Sequence, residues 1–111
     1  MSEFISKADL LNRNSRELPE KVIDVPGGGK VKIRALDGYN GLRASEASLA
    51  DRVVIAVTHG MIQPKLTRYN EVMDFVRFHS EDAQEIASEI ATLTLEFENI
   101  IEPESKKKKK N

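Results

Sequence analysis

Apolar positions recur at two different periods along this chain, and the change of period predicts its elements. In Lys30-Val-Lys-Ile-Arg34, Val31 and Ile33 alternate with three cations, the two-residue period of a half-buried strand. Lys21-Val-Ile-Asp-Val25 is similarly strand-like. Pro26-Gly-Gly-Gly29 lies between the two segments, and glycine reaches positive φ at little steric cost, so the unit reads as a β-hairpin. A lone hairpin is marginal in water, so its apolar face is expected to rest on helices.

The remaining apolar positions follow the helical period. Near the N-terminus, Phe4, Ile5, Ala8 and Leu11 share one face of a short helix that Ser6 is placed to cap. Asn12 to Pro19 reads as a linker. Asp37 is a fair N-cap for a helix through Ala44, in which Leu36, Tyr39 and Leu42 fall at helical spacing. Val53, Val54, Ile55 and Val57 favour a strand by propensity. Leu49, Val53, Ala56 and Val57 nevertheless share a helical face, and Gly60 follows as a C-cap, so Ser48 to His59 is read as a helix.

Met61 to Leu66 is read as a connector, because Pro64 disfavours the helical region for Gln63. Thr67 is expected to cap a helix through His79 with Val72, Phe75, Val76 and His79 inward. The last helix has the clearest stripe: Ala83, Ile86, Ala87, Ile90, Leu93, Phe97, Ile100 and Ile101. Ser80 or Asp82 is its expected cap, with Glu85 completing a capping box from Asp82, and Pro103 ends it. The expected fold class is α+β, mainly α: one β-hairpin packed on a small bundle of about four helices. Residues 1–19 form a short helix and linker, 20–102 the folded core, and 103–111 a disordered lysine-rich tail.

Composition narrows the function. Hydrophobic residues make up 40% and charged residues 32%, as in one globular domain with a modest core, for which self-association is an option. There is no cysteine, hence no disulfide framework and no thiolate metal site. No apolar run approaches a bilayer span, and Met1 to Leu11 lacks the pattern of a signal peptide, so the expected compartment is the cytoplasm. The formal net charge of −1 hides a split. Without the five charges of Lys106 to Lys110 it becomes −6, and an acidic body argues against nucleic-acid binding. A tail-borne nucleic-acid contact would be strongly salt-dependent and would vanish with residues 106–111.

Candidate chemistry is thin. Gly27-Gly-Gly-Lys30 fails as a phosphate loop: Asp24 stands where the first glycine belongs, and Val31 where a magnesium-binding hydroxyl belongs. His59 and His79 are too few for a zinc site and suit helix ends. Glu81, Asp82, Glu85 and Glu89 read as solvated acids on the polar side of the last helix, without calcium-loop spacing. No catalytic residue, cofactor, metal or nucleotide site is expected, and the chain is read as non-enzymatic. Leu93, Phe97, Ile100 and Ile101 are the expected partner-binding residues, as a long stripe that extends past the hairpin to pair with a partner helix.

The order of features carries a resemblance. A capped N-terminal helix and linker lead into Val22-Ile-Asp-Val25, a glycine turn and Val31-Lys-Ile-Arg-Ala-Leu36. A helical segment with Asp51 to Val57 follows, then Ile62-Gln-Pro-Lys-Leu-Thr67, then a helix entered through Asp82-Ala-Gln-Glu-Ile86. Over about residues 5 to 101 this resembles the tail assembly chaperones of long-tailed phages and defective prophages of Gram-positive bacteria, the PBSX-like type. The resemblance implies a protein made in the host cytoplasm that binds the long helical tape measure protein and is absent from the virion. It also implies, as further partners, tail tube subunits and a frameshift-extended form of the chain itself. Lys106 to Lys110 would then be encoded by a slippery adenine run, or would serve as a solubilising tail. The alternative is a structural or tail-completion protein retained in the particle.

Overall fold

The computed structural model describes residues 4–12 and 17–101, with side chains described as far as Phe97. The expected disordered tail, 103–111, lies outside the described residues. In chain order the elements are α1 (Lys7–Asn12), β1 (Glu20–Asp24), β2 (Lys30–Arg34), α2 (Gly38–Glu46), α3 (Leu49–Gly60), β3 (Met61–Gln63), α4 (Tyr69–Phe78) and α5 (Ser80–Ile101). The fold is α+β and mainly α, with an antiparallel sheet in the order β1-β2-β3.

The hairpin forms where alternation and glycine place it. Asp24 pairs with Lys30 in register, Gly28 and Gly29 both take positive φ, and the Val25 amide donates to the Gly29 carbonyl at 3.0 Å. The reading of Met61 to Leu66 as a plain connector needs correction. Met61–Gln63 forms a third strand on β2, pairing Ile33 with Met61 and Lys32 with Gln63 across a bulge. Two paired positions suffice because Met61 is buried in the core, and that packing fixes the segment.

Residues 53–57 are helical despite their β-branched run. Val53, Ala56 and Val57 bury one helical face, and Ser48 caps the start by accepting from the Asp51 amide at 3.3 Å. Burial of that face outweighs a propensity difference of a few tenths of a kcal/mol per residue. Leu49, expected on the same face, is exposed. Gly60 is the last residue of α3 rather than a left-handed cap beyond it, and Met61 is the C-cap. Its lack of a side chain serves packing: a Cβ there would stand 2.7 Å from two carbons of Ile90 and 3.1 Å from the Arg34 carbonyl oxygen.

The core centres on β2, α3 and α5, where Ile33, Val57, Ile86 and Ile90 are fully buried. In α2 the inner residues are Asn40 and Ala44. Tyr39 and Leu42, which fall at helical spacing with Leu36, are exposed instead, because α2 packs on α3 through the face that carries Asn40 and Ala44, while Leu36 is buried ahead of the Asp37 cap. In α4 the N-cap is Arg68 and not Thr67. The Glu71 carboxylate reaches back to accept from the amides of both Thr67 and Arg68, at 2.9 and 3.2 Å. Val72 is buried, Phe75 and Val76 are half-buried, and His79 is exposed as the C-cap.

Candidate partner-binding site

The long α5 helix shows two apolar stripes side by side. The first, Ala83, Ile86, Ile90, Leu93 and Phe97, faces the core. Leu93, an expected partner contact, is therefore buried within the protein, and Phe97 is half-covered by the same core. Ile100 and Ile101 occupy the final turn of α5, and their side chains lie outside the described residues.

Of the second stripe, only Ala87 was singled out in the sequence. It runs from Ala87 to Ala91 and on to Thr94 and Leu95, which stand three and four residues further along, and forms one wall of an open groove of about 440 Å³. The groove exists because α2 packs on α3 and α3 on α5, which leaves a trough between α2 and α5. Small residues deepen it: Ala44, Ala56 and Ala87 are buried along it, and Gly41 and Ala91 line it. Two large leucines flank the opening, Leu42 from α2 and Leu95 from α5, at 68% and 57% exposed.

Polar groups around the groove are engaged, which leaves its surface apolar and its shape fixed. Thr94 is buried. Its hydroxyl accepts from the Leu36 amide at 2.9 Å and donates to the Ile90 carbonyl at 2.7 Å, so it fastens the β2–α2 connection to α5. Arg52 donates from Nε to the Ala44 carbonyl at 2.8 Å and from Nη2 to the Ala47 carbonyl at 3.1 Å, closing the end of α2. A narrow apolar trough with a small-residue floor and a large-residue rim is shaped for an amphipathic helix. The signal for it was present as Leu95, a large apolar residue about 200° around the helix from Leu93.

The other candidate residues take structural places. Lys30 pairs with Asp24 at 2.7 Å across the hairpin. Asp82 and Glu89 are more than solvated acids. Asp82 accepts from the Gly27 amide at 2.9 Å, tying the hairpin turn to the first turn of α5, and Glu89 pairs with Lys21 of β1 at 3.4 Å. That use of Asp82 replaces the expected capping box with Glu85, since α5 already begins at Ser80. Glu81 and Glu85 are exposed.

Burial, with Arg43 and Lys65 adding to it, holds His59 below its ordinary pKa against the pull of Asp37. The two amides that Glu71 accepts from hold its carboxyl low as well. Among the described residues no group of three or more His, Cys, Asp or Glu side chains stands together as a metal site, and no helix is long and apolar enough to cross a membrane. No family model, curated protein or solved structure matches the chain.

Proposed function

We propose that this protein is a tail assembly chaperone of a long-tailed phage, acting in the host bacterial cytoplasm by binding and not by catalysis. Its principal partner would be the tape measure protein. Tail tube subunits and a frameshift-extended form of the chain would be further partners. The observation that carries the binding reading is the open apolar groove between α2 and α5, with Leu42 and Leu95 at its rim. The resemblance in the order of hairpin, Gln-Pro-Lys-Leu-Thr segment and final helix supplies the tail-assembly context.

The physical logic links the two. A long amphipathic helix made before its tube exists exposes an apolar face and aggregates. A groove on so small a domain covers only a short stretch of such a helix, so many copies along one partner would shield it. Each contact would be weak enough to be displaced when tube subunits arrive, while their number would hold the complex together.

The test is co-expression with the long tape measure protein that this reading expects to be encoded just downstream. The wild-type chain is expected to keep it soluble and co-purify with it, and the Leu42→Asp/Leu95→Asp variant is expected to leave it in the pellet. Mass spectrometry of finished tails is expected to find no copies of the chain. Copies retained in the tail would instead support a tail-completion protein.

A further inference from the structure

The α4 helix is held to the protein differently from the other elements of the core. Helical spacing puts Val72 on the inner face, with Phe75 and Val76 diverging to either side of it. Val72 is the one residue of α4 that is buried. Met73, Phe75 and Val76 are half-buried, and Tyr69 and Phe78, near the two ends, are exposed. An open apolar cleft lies on each side. One, of about 230 Å³, runs past Val76 to Leu49 and Val53 of α3 and Gln84 of α5. The other, of about 240 Å³, runs past Phe75 to Val31, Met61, Leu66 and Ile86. Apolar surface beside a void has no packing partner there, so both clefts mark contacts that α4 does not make.

Polar fastenings are missing as well. Among the described residues, no hydrogen bond or ion pair joins a side chain of α4 to another element. Its own polar contacts turn inward: the Glu71 carboxylate accepts from the amides of Thr67 and Arg68, which lead into the helix. The neighbouring elements are tied. α5 holds the hairpin through Asp82 and Glu89 and the β2–α2 connection through Thr94, and Arg52 of α3 holds the end of α2. The chain is fastened just before α4, where Lys65 Nζ donates to the Thr58 carbonyl at 2.6 Å. Just after it, His79 leaves the helical backbone at φ −134° and ψ 50°, and α5 starts at Ser80.

We infer that α4 is a lid. Residues 67–78 open as a unit, hinged at Leu66 and His79, while the sheet, α3 and α5 keep their packing. The opening gives up the cover of Val72, Phe75 and Val76 and no hydrogen bond to another element, so it lies below global unfolding in free energy. It uncovers Val72 and widens both clefts onto Val53 and Ile86, which are buried with the lid shut. The inference is independent of the α2–α5 groove and of its partner.

The chain has no cysteine, so a single introduced thiol reports burial at its own position. Val72→Cys reads the lid. Val57→Cys, fully buried on α3, reads the whole fold. The urea stability of each variant is measured alongside. With a small aromatic disulfide reagent in native buffer, Val72→Cys is expected to be labelled at least tenfold faster than its own global unfolding permits, at a rate that scarcely changes with low urea. Val57→Cys is expected to be labelled only as fast as global unfolding permits, with the full urea dependence. Hydrogen exchange on the unaltered chain makes the same comparison without a substitution: amides of α4 are expected to exchange through an opening that α3 and α5 do not share. Labelling of Val72→Cys no faster than global unfolding permits overturns the inference, as do α4 amides with the same protection and urea dependence as those of α3. Fast, urea-insensitive labelling of both variants overturns it too, because the whole fold is then loose and α4 is no lid.

Discussion

The Thr94 hydroxyl stands at a point that requires a short hydroxyl side chain. It satisfies the buried Leu36 amide and, through its proton, the Ile90 carbonyl. Thr94→Val keeps the shape but leaves that amide without a partner, which costs about 1–3 kcal/mol. Urea denaturation should show a lower midpoint with an unchanged slope, and Thr94→Ser should recover most of the loss. This role was not legible in the sequence. A threonine inside an amphipathic stripe looks like a tolerated polar position until the β2–α2 connection is placed against it. His59 was legible only as a helix-end residue. Its lowered pKa means the unfolded chain takes up the proton first as pH falls. Stability should therefore decline as pH drops below the ordinary value of 6.5 toward the folded value, with the neutral form favoured above it. His59→Gln should flatten that slope in urea midpoints compared between pH 7.5 and a pH just under 6.

At the scale of elements, the hairpin shows which sequence signals suffice and which do not. Two-residue alternation and a glycine run located β1, the turn and β2, because those signals are local. The third strand was missed because Met61–Gln63 has too few residues to show a period, and only its pairing with Ile33 and Lys32 makes it a strand. Residues 53–57 went the other way. Their propensity pointed to a strand, but the spacing of Val53, Ala56 and Val57 was right, because burial of a helical face is worth more than propensity. The tie between the hairpin and α5 is equally non-local. Asp82 accepts from the Gly27 amide, so Asp82→Ala should free the turn end of the hairpin. The expected cost is modest, about 0.5–1.5 kcal/mol, since the group is not deeply buried. Hydrogen exchange should locate it: the Gly27 amide should lose protection, while amides in the centre of β2 should keep theirs.

For the whole molecule, the division of α5 into two stripes separates folding from binding. The core stripe was plain in the sequence because large apolar residues repeat along it. The groove stripe was obscured because half of it is alanine, which signals neither burial nor contact until α2 is seen to stop short of α5. Leu93 and Leu95 are two residues apart and belong to different stripes, which makes them a matched pair for a test. Leu93→Asp places a carboxylate in the hydrophobic core, where an unpaired charge costs several kcal/mol, and should leave the chain unfolded or insoluble. Leu95→Asp changes a residue already 57% exposed and should shift stability by no more than about 0.5 kcal/mol. If the groove is where a helix docks, Leu95→Asp should still abolish capture of the helical partner in a pull-down, with an unaltered melting curve. A variant that folds normally and still captures the partner would move the binding surface away from the α2–α5 groove. Ile100 and Ile101 are then the partner contacts that the sequence still offers, and Ile100→Asp/Ile101→Asp would be the next variant to read in the same assay.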